Sequence, residues 1–364
     1  MRRIHDDCEP DPESILVALP TWVGDAVMAT PTLQAIRARF ARAKVTYLLR
    51  PGIVDVIDGS PWMDDVVIWP PRDSRGRQPG TVKLGVRLRR RKIDWAVLLT
   101  NSFRSALVAR LAGIRRRIGY DRDGRGWMLT DRLLVARSGG RIERTRMVDY
   151  YGRLAWAIGC EAPGDKLVLY TRPDDDRAIA ERLADHGLSD HRPIVVMTPG
   201  ASFGPSKCWA PERFAEVCDR LTNECDARVV VTYGPGEQDR VHRTIAATKN
   251  APVVMDNPRI TLGQLKAVVK RCDLLLCNDT GPRHFAKAFD VPVVTVFGPT
   301  WPEWTDTDYP MERKVRIDVD CGPCQKPVCP EGHHKCMTGV TADAVFAACR
   351  ELLGRRPKAH AGTD

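Results

Sequence analysis

The chain has 364 residues, is 43% hydrophobic and carries a formal net charge of +10. That length exceeds one ordinary core and makes two domains the expectation, while the apolar content excludes a disordered chain. The positive excess suits an acidic ligand or surface, such as phosphates, nucleic acid or anionic lipid, although a solvated arginine-rich surface would carry the same charge.

The opening MRRIHDDCEPDPESI has basic residues but no apolar stretch behind them, so no signal peptide is expected. No apolar run approaches the roughly 20 residues of a membrane-spanning helix, so a cytoplasmic location is expected. Residues 14–19 (SILVAL) read as a buried strand, followed by the loop PTWVGD at 20–25. Ala26, Ala29, Leu33, Ile36 and Phe40 then recur at intervals of three and four and predict a helix. Pro31 allows two starts. Either Thr30 caps the helix with Pro31 in its first turn, or the helix begins near Asp25 and bends. Residues 45–49 are the next strand. The opening is that of a nucleotide-binding fold, but no G-x-G-x-x-G follows the first strand, so a dinucleotide fingerprint is absent.

Strands are predicted at 66–69 and 96–99. The stretch between is rich in Arg, Gly and Pro, and its RLRRRK reads as a solvated helix face. Asn101, Ser102 and Arg104 lie in a second strand-end loop, before the helical pattern of Ala106, Leu107, Ala109 and Leu111. A basic run, Arg115 to Arg117, follows. Residues 147–158 read as a helix and 159–173 as a hinge.

The second half restarts the alternation. A strand at 194–198 leads into PGASFGPSKCW, and Phe214, Val217, Cys218 and Leu221 mark a helix. A strand at 229–232 precedes Gly234-Pro235-Gly236-Glu237, and Leu262, Leu265, Val269 and Cys272 mark another helix. The stretch 273–299 is the most informative: strand, the turn Asn278-Asp279-Thr280-Gly281, a helix entered through Pro282, and a strand closed by Gly298-Pro299. A βαβ unit implies parallel strands, and ligands of such sheets bind beyond the strands' carboxyl ends. The free N–H groups of a helix start there attract a phosphate or a sugar hydroxyl. The expected fold class is therefore α/β, with two Rossmann-like βα domains facing across a cleft. The expected division is 1–172, 173–350 and a tail at 351–364. Residues 71–80 and the tail from Arg355 are read as disordered or in contact with lipid.

Four of the twelve cysteines cluster late: Cys321, Cys324, Cys329 and Cys336, with His333 and His334 among them. C-x2-C-x4-C-x6-C could hold a tetrahedral zinc. It lacks the usual pair of CxxC knuckles, and reduced thiols of a cytosolic protein are the preferred reading. Asp-rich triplets at 121–123, 174–176, 306–308 and 318–320 carry no information in a chain this rich in Asp, and no metal or other cofactor is expected.

Six segments, in order and spanning nearly the whole chain, resemble the heptosyltransferases, glycosyltransferase family 9. They are PTWVGDAVMATPTLQAI, TNSFRSAL, TPGASFGPSKCW, CNDTGPRHFAKAF, VFGPTWPEW and CGPCQKPVCPEGHHKCM. The resemblance implies the GT-B arrangement and metal-independent, inverting transfer of heptose from ADP-L-glycero-β-D-manno-heptose to the acidic inner core of lipopolysaccharide. The N-terminal domain would bind the acceptor, at the cytoplasmic face of the inner membrane, and the C-terminal domain the donor. Asp25 aligns with the family's catalytic base and Lys207 with its phosphate-binding lysine. Ser202, Glu237, Asp279, Thr280, Gly281 and His284 align with donor-binding positions, and Asn101, Ser102 and Arg104 are the acceptor-side candidates. Each has a plainer alternative: Asp25 and Glu237 as acids favoured at helix starts, Lys207 as a surface lysine, Asp279 as a turn residue. A transferase of another sugar nucleotide or acceptor, and a non-catalytic sugar-nucleotide-binding protein, remain as alternatives. Binding to nucleic acid finds no aromatic-basic motif.

Overall fold

A computed structural model describes residues 10–71, 80–188 and 190–355. The chain forms two compact units: the chain up to Tyr170 together with Glu303–Thr307, and Thr171–Pro302 together with Asp308 onward.

The first unit is a six-stranded parallel sheet. Its strands are β1 (Ser14–Ala18), β2 (Lys44–Leu49), β3 (Asp65–Ile68), β4 (Trp95–Leu98), β5 (Arg116–Tyr120) and β6 (Asp131–Leu133), in the order β3-β2-β1-β4-β5-β6. A two-residue ribbon, β7 (Arg137–Ser138) with β8 (Arg141–Ile142), follows. The helices are α1 (Val23–Met28), α2 (Thr30–Arg39), α3 (Pro51–Ile57), α4 (Thr81–Arg89), α5 (Phe103–Leu111) and α6 (Met147–Ala157). Ile15, Leu16, Val17 and Ala18 are all inaccessible to solvent. A strand covered on both faces has no reason to alternate polar with apolar, which is why 14–19 reads as one apolar run. Strand order reverses between β1 and β4, so the loops leaving them diverge and open a crevice at the sheet's carboxyl edge.

Of the two possible helix starts, the structure takes the one near Asp25, with a break at Ala29. Pro31 has no N–H for the carbonyl of Val27, four residues back. The Thr30 hydroxyl donates to that carbonyl instead, at 2.7 Å, and its oxygen accepts from the Val168 backbone N–H at 3.1 Å. Of the basic run at 115–117, Arg115 is exposed, while Arg116 and Arg117 are half-buried at the entry to β5. Arg116 pairs with Asp131 at 3.2 Å, and Arg117 donates to the carbonyl of Met128 at 2.6 Å.

The second unit repeats the plan. The strands β9 (Ile194–Thr198), β10 (Arg228–Val231), β11 (Val253–Val254), β12 (Leu274–Asn278), β13 (Val293–Val296) and β14 (Glu312–Val315) lie in the order β11-β10-β9-β12-β13-β14, all parallel. Its helices are α7 (Pro173–Asp185), α8 (Pro211–Cys225), α9 (Gln238–Ala246), α10 (Leu262–Arg271), α11 (Gly281–Ala288), α12 (Lys335–Thr338) and α13 (Ala342–Gly354). The expected α/β class of two Rossmann-like units holds, with the same strand order in both. Each unit has its own core, one around Leu16, Leu98 and Ala109, the other around Val195, Met197 and Leu276 with Trp209 and Phe346. The first residues of the expected tail belong to α13, which buries Leu352. The rest of it, 356–364, and residues 72–79 of the 71–80 stretch lie outside the described residues.

Candidate active site

In the second unit the reversal of strand order falls between β9 and β12, and four of the six expected donor-binding residues, Asp279, Thr280, Gly281 and His284, stand beside it. Asn278 ends β12 fully buried. Its amide donates to the carbonyls of Pro199 (2.8 Å) and Gly200 (3.2 Å), and its oxygen accepts from the Trp209 N–H at 3.1 Å. One side chain thus fixes both ends of the loop that carries Lys207. Sequence reading placed Asn278 in a turn and missed this role.

Asp279 follows, buried. Its carboxylate accepts from Lys207 Nζ at 2.6 Å and from Thr300 Oγ1 at 2.6 Å, and lies 3.4 Å from Arg283 Nη1. Burial alone would raise its pKa, but Lys207 and Arg283 outweigh burial and hold it below the ordinary carboxylate value. Lys207 Nζ also donates to the Asp279 carbonyl at 3.1 Å, which uses two of the three ammonium protons. Lys207 is therefore not a surface lysine. Arg283, fully buried, forks onto Glu312, with Nη2 to Oε2 at 3.0 Å and Nε to Oε1. Lys287 Nζ meets the same carboxylate at 2.8 Å, and the Thr295 hydroxyl donates to it at 3.0 Å. Lys207 and Arg283 thus face Asp279, while Arg283 and Lys287, the latter in the last turn of α11, face Glu312. The N–H groups at the start of α11 add positive potential beside Asp279. Arg283, Lys287 and Glu312 were not anticipated. Arg283 and Lys287 stand four apart on α11, and the buried Glu312 that pairs with both lies on β14, a strand not predicted from the sequence.

His284, next on α11, is buried and its Nδ1 has no hydrogen-bond partner among the described residues. Burial, with Arg283 and Lys287 adding to it, drives its pKa well below the usual histidine value, so the ring is neutral. Thr280 precedes α11 without a side-chain cap bond, and Gly281 opens the helix with Pro282 second. Glu237 is the residue before α9. Its Oε2 accepts from the Gly234 N–H at 2.8 Å, and burial raises its pKa above the ordinary value. Its carboxylate occupies the space where a Cβ on Gly200 would stand, so it seals the β10 loop against the β9 loop. Ser202 is exposed on the latter loop.

In the first unit Asp25 sits half-buried in the first turn of α1. The phenol of the buried Tyr151 is pushed well up, first by burial and then by the Asp25 carboxylate. The three acceptor-side candidates divide. Ser102 and Arg104 line a cavity of about 470 Å³ with Thr21, Arg50, Trp69 and Thr100, at the ends of β1 to β4. Ser102 also caps α5 by accepting from the Ser105 N–H at 3.2 Å. Arg104 donates to Thr81 Oγ1 at 2.5 Å and lies over the Trp69 ring at 4.9 Å. Asn101 turns instead to a neighbouring cavity of about 220 Å³ with Arg122, Tyr150 and Arg153, and accepts from the Tyr150 hydroxyl at 2.8 Å. Arg125, fully buried, holds the loop: it donates to the carbonyl of Thr100 and, at 3.1 Å, to Ser105 Oγ. Burial lowers its pKa to about 10, still far above neutrality. A roomier cavity of about 630 Å³, between α2 and the 159–166 loop, includes none of these residues.

The cysteine segment adjoins the Lys207 loop. Ser206 donates from its N–H to the Pro327 carbonyl at 3.1 Å and from its hydroxyl to the Lys326 carbonyl at 2.6 Å, and its own carbonyl meets His334 Nε2 at 2.7 Å. The Gln325 N–H donates to the Pro299 carbonyl at 2.9 Å.

Residues 81–335 match the family model for glycosyltransferase family 9 (heptosyltransferase). Lipopolysaccharide heptosyltransferase 2 of Salmonella typhimurium is 27% identical over 93% of this chain and 98% of that protein. The Escherichia coli K12 protein of the same name is 26% identical over the same shares. The solved structure of E. coli ADP-heptose lps heptosyltransferase II aligns with a TM-score of 0.75 and 25% identity, over 94% of this chain and 99% of that one. A glycosyl transferase family 9 protein from Veillonella parvula aligns with a TM-score of 0.80 at 21% identity, over 94% and 98%, and shows the same fold.

Proposed function

Since this chain belongs to glycosyltransferase family 9, the heptosyltransferases, we propose that it moves a heptose from an ADP-heptose donor to the inner core of lipopolysaccharide, in the manner of heptosyltransferase II. The names of the relatives, aligned over 93% of the chain, support the donor and acceptor classes. The observation that carries the reading is the Lys207–Asp279–Thr300 constellation beside the start of α11, where four of the expected donor residues gather at the helix's first N–H groups.

In this reading Asp25 takes the proton of the acceptor hydroxyl as its oxygen attacks the anomeric carbon. The bond from that carbon to the diphosphate breaks on the opposite face, and configuration inverts. The departing ADP gains charge at the terminal phosphate. The third Lys207 proton and the first N–H groups of α11 receive it, each charged hydrogen bond being worth on the order of 1.5–3 kcal/mol. Asp279 holds the ammonium in place, and by its like charge it suits sugar hydroxyls better than phosphate. Glu237 serves the ribose, Ser202, Thr280, Gly281 and His284 the rest of the donor, and Asn101, Ser102 and Arg104 the acidic acceptor. The first unit would be the acceptor-binding domain and the second the donor-binding domain. No helix among the described residues is long and apolar enough to cross a membrane. The charge of +10 supports peripheral contact with the anionic cytoplasmic face of the inner membrane.

Titration with ADP, UDP and GDP and turnover with a panel of sugar nucleotides and core-lipid extract test the reading. ADP selectivity and heptose transfer are expected; preference for UDP or GDP would replace the donor. Asp25→Asn should bind ADP as the parent does and turn over about 10²–10⁴-fold more slowly. Near-normal turnover would remove the base.

A further inference from the structure

The four clustered cysteines have no part in the transfer chemistry, yet they line one enclosed space. Cys321, Cys324, Cys329 and Cys336 surround a cavity of about 20 Å³, together with His333 and His334. That volume holds one water-sized guest and nothing larger. We propose that these four thiols bind a single thiophilic divalent ion, zinc or ferrous iron, which ties down the loop that carries Lys207.

The donor set decides the class of guest. A donor set of four thiols lining one small cavity selects zinc or iron in tetrahedral geometry over magnesium, calcium or manganese, which prefer oxygen. The histidines are already engaged elsewhere. His334 Nε2 meets the Ser206 carbonyl at 2.7 Å, and His333 Nδ1 accepts from the Lys335 N–H at 3.1 Å. His333 Nε2 lies 3.8 Å from Cys321 Sγ, the place of a partner that orients a ligand from outside the first sphere. Among the described residues no set of three or more His, Cys, Asp or Glu side chains already stands at metal-binding separations. Closure therefore requires the sulfurs to turn inward to about 2.3 Å from the ion. Cys321, Cys324 and Cys329 lie within 316–334, which contains neither helix nor strand, while Cys336 sits on α12. Binding releases the thiol protons to solvent, with no change of oxidation state.

The consequence for the loop is direct. Backbone groups of 325–327 hold Ser206 and Pro299, the neighbours of Lys207 and Thr300. An ion that fixes the cysteine segment therefore fixes the two residues that grip Asp279.

The full-length protein, purified under reducing conditions without chelating resin, should contain about one equivalent of zinc or iron by plasma mass spectrometry, which also tells the two apart. Stripped protein should take up one equivalent of Co²⁺ and show the absorption bands of a tetrahedral thiolate site, and zinc should shield these thiols from a thiol-specific dye. Cys324→Ser and Cys329→Ser should each lose most of the metal. Stripped, folded protein that takes up neither zinc nor cobalt, with thiols equally reactive in both solutions, would overturn the proposal; so would metal retained in full by both variants. The measurement needs no turnover, so its failure leaves the transferase reading standing, and loss of transfer leaves the metal site standing.

Discussion

Lys207 and Asp279 are set against each other at 2.6 Å, both largely out of solvent, and neither can be altered without exposing the other. Lys207→Met strips Asp279 of its main cation but leaves Arg283 and Thr300 beside it. The expected loss of stability is about 2 kcal/mol, below the roughly 3–5 kcal/mol for a buried charge left with no partner. Adding Asp279→Asn should recover part of that stability in a denaturant titration while turnover stays lost. Recovery of turnover in the double variant would show that the ammonium serves the fold and not the donor. Glu237 gives a second, pH-resolved test. Burial raises its pKa, so the folded chain binds its proton more tightly than the unfolded chain does. That contribution to stability is present below the unfolded pKa and is lost as pH rises through the folded one. Glu237→Gln keeps an acceptor for the Gly234 N–H. Its melting temperature should match the parent's in acid, exceed it as pH rises to neutrality, and be accompanied by weaker donor binding. A parallel pair of melting curves at all pH values would contradict the sign.

At the level of elements, the sequence showed strands best where both faces are covered. β1, β4, β9, β12 and β13 are apolar runs because all but the first residues of β1 and β9 are buried. β5 and β14 were missed for the opposite reason. Their arginines, lysine and glutamate disguise them, and what makes them strands is pairing with partners far along the chain: Arg116 with Asp131, Glu312 with Arg283 and Lys287. Periodicity cannot register a charge neutralised from elsewhere. The same limit hid Arg125 and Asn278, whose work is to hold loops through carbonyls that have no sequence signature. The loops themselves were legible because motif residues crowd the ends of the apolar runs. The break before α2 was legible only as a choice of two, since Pro31 announces the missing N–H and not the Thr30 hydroxyl that replaces it.

For the whole molecule, two separate cores predict two unfolding events. One surrounds the sheet of β1 to β6 and the other that of β9 to β14. Scanning calorimetry should resolve more than a single two-state transition. If the donor is held by residues of the second unit alone, ADP at about 100-fold over its dissociation constant should add about 2.7 kcal/mol to that unit and shift one transition only. Equal shifts of both would mean that the nucleotide stabilises both units together.

The contact between Glu237 and Gly200 sets an order on how this chain can change. A methyl group at 200 has nowhere to go while the Glu237 carboxylate fills that space, so the first step away from glycine is closed to a chain that still carries glutamate at 237. A shorter residue at 237 opens the way, and once a side chain has settled at 200 the return to glutamate is blocked in turn. The two positions act as a ratchet, in which the route taken by a descendant lineage, and not merely its endpoint, is written into the packing.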